Sequence, residues 1–460
     1  MGRTFASIVK WAAAAAVAAF LVFGWVTLTR GAAGHGKVVL RIWDWWNPAG
    51  NAKLGRFFDK VKGDFEASHP NIEIRYQFIP LGPQYIQKLM SAFAAGDPPD
   101  AFQCSIIWAT DLYDRGVIRD LNDFLAESTD VRPDRFYPLC SAYTSRDGHV
   151  FGIPTSMDAY ALIINTKMAR EAGLDPSPYA IDSWDTFLEY AQRLTIRDET
   201  GRVTRAGFLV SAVPERFSGI LPWMAADGKA FLTDDLRSTN ATGPAGLKAM
   251  QFLYDLLHKH NVSFPPGGET QELSLFEQGK AAMILGGTWN GYHISENAPD
   301  LEYVMTSLPP GPDSEKRATI TWANMMMVPK NSRHPRETWE YLRYYGGLQA
   351  SIDMLEILYR NSARLDLYDT PQWKAQVAAH PYLKMVPEIA ASGAMYPYKR
   401  FEEVNDAFKP YYQMAILGSM PVEEAMKEGN AKAERILAGS WADELLRKEK
   451  ASEALPEAVR

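Results

Sequence analysis

Residues 37–80 read KVVLRIWDWWNPAGNAKLGRFFDKVKGDFEASHPNIEIRYQFIP, and this stretch decides the fold class. Val38–Trp43 is a short, nearly continuous apolar run, the pattern of a strand covered on both faces. Leu54, Phe57, Phe58, Val61 and Phe65 recur at helical spacing and define one apolar helix face. Ile72, Ile74, Tyr76 and Phe78 then alternate with Glu73, Arg75 and Gln77, which predicts a second strand. A helix over about Gln84–Ala95 leads through Gly96-Asp97-Pro98-Pro99 to a third strand, Asp100–Gln103. Strands alternating with helices imply an α/β domain on a largely parallel sheet.

Beyond this opening the helical period dominates. Asp182 or Ser183 caps a helix whose apolar face is Trp184, Phe187, Leu188, Ala191 and Leu194. Leu247, Met250, Leu253, Tyr254 and Leu257 mark another. Pro335–Tyr345, Glu402–Leu417 and Val422–Leu437 are expected helices, and the charged, alanine-rich Lys448–Arg460 is expected to fray. No repeat and no low-complexity linker interrupts the chain.

At 460 residues the chain calls for two domains, and its 47% hydrophobic and 22% charged residues are an ordinary globular composition. Residues 1–33 carry Arg3, Lys10 and Arg30 and no acid, so without them the net charge falls from −7 to −10. A chain that acidic, with no basic run, does not suit nucleic acid. The apolar run Trp11–Leu28, with cations before and after it and small residues to Ala33, reads as a secretory signal cleaved near Ala33. Its 18 residues also suffice for an uncleaved spanning anchor. No cysteine follows the run, which excludes a lipoprotein anchor. Either way, the chain from about residue 34 lies outside the cytoplasmic membrane. Cys104 and Cys140 lack CxxC spacing and leave two alternatives, one disulfide or two free buried thiols.

Four segments, in order, resemble the family 1 extracellular solute-binding proteins, the sugar-binding group that includes maltose-binding protein. The first is FEASHPNIEIRYQFIP (65–80) with YIQKLMSAFAAGDPPDAFQCS (85–105) and GVIRDLNDFL (116–125). The second is HVFGIPTSMDAYALIINTKMAREAGLD (149–175) with SWDTFLEYAQRLT (183–195). The third, LFEQGKAAMILGGTWN (275–290), is the most specific, and the fourth is VEEAMKEGNAKAERIL (422–437). The resemblance implies a two-lobed, type II periplasmic-binding-protein-like α/β fold, each lobe a mixed sheet flanked by helices. It implies an N-terminal lobe of 37–155 plus 305–330 and a C-terminal lobe of 156–304 plus 331–445. The implied activity is capture of a carbohydrate or polyol in the cleft and its delivery, by lobe closure, to the permease subunits of an ABC importer. A monomer without cofactor or metal is expected.

A sugar offers a C–H face and a belt of hydroxyls, which match flat aromatic rings and a few fixed polar groups. Asp44, Trp45 and Trp46 follow the first strand, where cleft loops emerge in open α/β sheets. Trp43, inside that strand, is assigned to the core. Gln103, Ser105 and Trp108 follow the third strand. By position in the family, Asp158 and Tyr160 lie on the first crossover, and Trp223, Trp289 and Trp322 with Asn324 fall in cleft-lining segments. Asp158, flanked by apolar residues, needs a partner, either a ligand hydroxyl or a cation; the ligand is favoured. Gly286 and Gly287 before Trp289 suit close approach to a ligand or, equally, a tight turn. Tyr398 and Arg400 complete the candidates.

The rival class is a secreted glycosidase, which needs two carboxylates placed about 5 to 10 Å apart. No pair of acids is singled out by spacing, and GxSxG, HExxH and phosphate-loop motifs are missing. A membrane-tethered receptor using the same cleft is the third reading.

Overall fold

The computed structural model describes residues 37–211, 219–264, 269–395 and 400–439. The signal or anchor segment, the C-terminal tail and Tyr398 lie outside the described residues. Two α/β lobes share one eight-stranded sheet. The first three strands are β1 (Val38–Asp44), β2 (Ile72–Phe78) and β3 (Ala101–Ser105). Next come β4 (Ile153–Asn165), β5 (Met283–Gly287), β6 (Tyr303–Thr306), β7 (Thr319–Met327) and β8 (Gly393–Met395). The order is β6-β4-β7-β3-β1-β2, with β8 beside β7 and β5 beside β4.

The three strands read from the opening stretch do run parallel, with Val38 opposite Ile72 and Ile42 opposite Ala101. Beyond them the sheet is mixed: β8 runs parallel to β7, but the other pairings are antiparallel. Strand β7 runs antiparallel to both β3 and β4, so β4 points the same way as β1–β3. Strand β4 serves both halves of the sheet. Ile153–Ala159 pair with β7, while Tyr160–Asn165 pair with β5 and β6. All 13 of its residues are buried, Thr155, Ser156, Asp158 and Asn165 among them, so no exposed face imposes an alternating pattern on it.

Helix α1 (Ala52–Ser68) starts where Asn51 Oδ1 accepts the Leu54 N–H at 3.0 Å, and it buries Phe57, Phe58, Val61 and Phe65. Next along the chain are α2 (Pro83–Ala94), α3 (Ile106–Asp114), α4 (Trp184–Leu194, capped by Ser183), α5 (Pro244–His258) and α6 (Glu269–Glu277). They are followed by α7 (Asn290–Asn297), α8 (Pro335–Tyr345), α9 (Leu348–Leu358), α10 (Phe401–Ile416) and α11 (Val422–Ala438).

Helices α8 and α9 pack on the elements of the opening stretch. The Tyr341 and Tyr345 rings meet Phe65 and Phe57 edge-on, and the Tyr341 and Tyr76 hydroxyls are 3.1 Å apart. Asp353 lies 3.8 Å from Lys60 of α1. Both cysteines are buried and unbonded. Among the described residues no helix is long and apolar enough to cross a membrane, and no group of three His, Cys, Asp or Glu side chains could hold a metal ion.

Candidate functional site

The period of two along β4 sends Ser156, Asp158 and Tyr160 to the same face of the sheet. Register then sets their neighbours. Trp322 lies opposite Asp158, Asn324 opposite both Ser156 and Ser105, and Gly287 opposite Tyr160. One patch of sheet thus gathers residues from four strands. Above it lies a cavity of about 250 Å³ lined by Trp45, Trp46, Leu81, Ser105, Asp158, Tyr160, Trp289, Trp322, Asn324 and Arg360.

One wall is a triangle of rings. Centroids are 5.2 Å apart for Tyr160 and Trp322, 5.3 Å for Trp289 and Trp322, and 5.9 Å for Tyr160 and Trp289. These edge and tilted geometries suit the ring quadrupoles and leave Trp289 and Trp322 partly exposed. The Gly-Gly-Thr-Trp-Asn turn builds the wall. Asn290 Oδ1 accepts the Gly287 N–H at 2.6 Å, and the Thr288 N–H donates to Ala159 O at 3.0 Å. Gly287 makes room for the fold-back of Trp289 onto the sheet, while Gly286 packs against Ile163 and Asn290.

The opposite side is polar. Arg360 Nη2 reaches both Asp158 carboxylate oxygens, at 2.9 and 2.8 Å, and Asn324 Nδ2 donates to Asp158 Oδ2 at 3.2 Å and to Ser156 Oγ at 3.0 Å. The guanidinium carbon sits 4.5 Å from the centre of the Trp46 ring. Asp158 is therefore half of an ion pair, the less favoured of the two readings above, although it still lines the cavity. Arg360 itself was missed. It follows Tyr359, the left-handed residue that ends α9 (φ +51°), and no spacing marks it. The usable signal was indirect: an acid among apolar residues requires a cation nearby.

Eight candidates thus meet at one cavity: Trp45, Trp46, Ser105, Asp158, Tyr160, Trp289, Trp322 and Asn324. Gly287 lies beneath Trp289. The rest are placed elsewhere. Asp44 is buried, and its Oδ1 accepts the Trp46 N–H at 2.8 Å, so it shapes the Trp45-Trp46 turn. Burial pushes its pKa up to about 7, against the opposing pull of those backbone N–H groups and of Arg360. Gln103 is fully buried in β3. Trp108 backs Trp45, with centroids 6.1 Å apart, and lines a separate pocket of about 170 Å³ with Arg400. Arg400 pairs with Glu403 and donates to Ile436 O, fastening the start of α10 to the end of α11. Trp223 is wholly buried among Trp184, Phe187, Phe208 and Phe252, in the core.

A second cavity of about 480 Å³ shares Tyr160 and Trp289 with the first and adds Asn290, His293 and Asn297 of α7 with Glu272 and Glu277 of α6. Burial and the nearby Arg360 charge lower the His293 pKa, which favours the neutral imidazole.

The family model described as bacterial extracellular solute-binding protein matches residues 49–350. A binding protein of Brucella abortus is 24% identical over 403 residues, covering 84% of this chain and 91% of that one. The arabinooligosaccharide-binding protein of Bacillus subtilis is 22% identical over 368 residues, 77% of this chain and 80% of that one. Among solved structures, an ABC substrate-binding protein of Listeria monocytogenes in complex with cycloalternan superposes with a TM-score of 0.73 at 18% identity. It covers 88% of this chain and all of that one.

Proposed function

Since the chain belongs to the bacterial extracellular solute-binding proteins, we propose that it captures an uncharged carbohydrate in the aromatic cavity and hands it to an ABC importer. The observation that carries this reading is the convergence of four tryptophans and Tyr160 on an acid that Arg360 already neutralises. Rings suit sugar C–H faces, and the Asp158–Arg360–Asn324 network supplies fixed acceptors and donors for hydroxyls. An anionic ligand would compete with Asp158 for Arg360, and a cationic one with Arg360 for Asp158. Relatives named for arabinooligosaccharides support the same class.

Capture rather than cleavage agrees with the chemistry of the cavity. Its described lining includes one carboxylate, and both oxygens of that group engage Arg360. Glycoside hydrolysis asks for two, one of them free to donate or accept a proton.

The N-terminal lobe would comprise 37–155 and 305 to about 358, taking in α8 and α9, and the C-terminal lobe the remainder up to 445. Residues 1–33 would direct export, so that the cleft faces the periplasm or the exterior and closure presents a surface to the permeases.

A thermal-shift screen with arabinotriose, maltotriose, mannotriose and their monosaccharides tests the reading. A ligand that binds only the folded state at a hundred times its Kd adds about 2.7 kcal/mol of stability. At least one neutral sugar should raise the melting temperature. A shift with amino acids or organic anions, and with none of the sugars, would reject a carbohydrate site.

A further inference from the structure

Two helices from the two lobes touch outside the ligand cavities. Asn51 Oδ1, already capping α1, also accepts the Tyr292 hydroxyl of α7 at 3.1 Å. Two residues on, Lys53 Nζ pairs with the Glu296 carboxylate, one turn beyond Tyr292 on α7. The same ammonium lies 4.2 Å from the centre of the Tyr359 ring, and that ring packs against His380 with centroids 4.1 Å apart. The Tyr382 hydroxyl donates to Tyr359 O at 3.1 Å, which helps to hold Tyr359 in its left-handed conformation.

From this geometry we propose that Asn51 and Lys53 are positioning residues for ligand capture: with Tyr292, Glu296 and Tyr359 they form a clasp that holds the lobes closed. The inference rests on the two-lobed fold and not on the identity of the ligand. None of the five lines the cavities described above. Two of them, though, sit one residue away from side chains that do, Tyr292 beside His293 and Tyr359 beside Arg360.

The physical argument concerns which state the contacts favour. They join α1, packed on β1 and β2, to α7, which follows β5, so they exist only when the lobes approach. Contacts made in one state alone shift the population toward it. The Lys53 side chain is 18% exposed and Glu296 38%, so the pair is less screened than a fully exposed one. Adding the face of Tyr359 gives the ammonium a second partner that a free lobe would not offer together with Glu296.

The test needs no ligand. Spin labels at Ala67→Cys on α1 and Gln251→Cys on α5 would report the interlobe distance in the full-length protein, since both native cysteines are buried. The parent should show a substantial short-distance population. Glu296→Lys should raise the ratio of long to short distances by about tenfold, and the swap Lys53→Glu/Glu296→Lys should bring it back. If Glu296→Lys fails to fold, Tyr292→Phe, which removes one hydroxyl, should shift the same ratio in the same direction by less. A distance distribution that stays the same in the folded variant, or a swap that leaves the long distances in place, would overturn the clasp.

Discussion

Gly287 lies directly under the ring of Trp289: a β-carbon on Gly287 would fall 1.8 Å from Trp289 Cζ3 and 2.0 Å from Cη2. The ring can fold back onto the sheet only because that carbon is missing. Trp289 then lies against Tyr160 and Trp322 and keeps part of its ring exposed.

Gly287→Ala should therefore act on the ligand platform through the displaced ring. The expected loss is about 1 to 3 kcal/mol of binding energy toward whichever sugar the thermal-shift screen identifies. The Trp289 ring should move away from Tyr160 in a crystal structure of the variant. Unchanged affinity would remove Trp289 from the ligand surface.

Arg360 compensates an acid that is only 8% exposed. Arg360→Met leaves the Asp158 carboxylate buried without its cation, at a cost of about 3 kcal/mol of stability. Adding Asp158→Asn should recover most of that loss, because the uncompensated charge is then gone. Urea unfolding of the two single variants and the double variant measures the coupling. Additive losses would show that the pair is incidental to the fold.

Asp44 gives the protein a definite dependence on pH. Its folded-state pKa stands at about 7 against an ordinary 3.8, because burial penalises the carboxylate. Between those values the native state holds a proton that the unfolded chain has lost. Stability should thus fall as pH rises from about 4 to about 7, by at most about 1.4 kcal/mol per pH unit, and level off above that. Asp44→Asn keeps an oxygen to accept the Trp46 N–H and should lack this part of the slope. Parallel stability profiles for the two proteins across that window would contradict the assignment.

How far the sequence could be read depended on whether the signal was local. The cap offered at Asp182 or Ser183, the α1 face and the β1 and β2 strands follow from spacing within a few residues. The first aromatic of the cavity, at the end of β1, was visible for the same reason. Trp223 shows the limit: a tryptophan in a helix looks the same in sequence whether it meets a ligand or, as here, Phe187 and Phe252. Gln103 and Trp108 lie within three residues of the cavity residue Ser105, yet both are buried and neither lines the cavity. Arg360 was invisible because its partners, Trp46 and Asp158, are hundreds of residues away. The packing of α8 and α9 on α1 was hidden likewise, since it joins residues far apart in the chain.

A calorimetric titration of the wild-type protein with arabinotriose, maltotriose and mannotriose tests the central claim most directly, because one trace reports both binding and reaction. The account predicts, for at least one of them, heat that saturates at one ligand per chain and returns to baseline after every injection. No heat with any neutral sugar would contradict carbohydrate capture. A steady heat flow that persists at saturation would mean turnover, and so an enzyme.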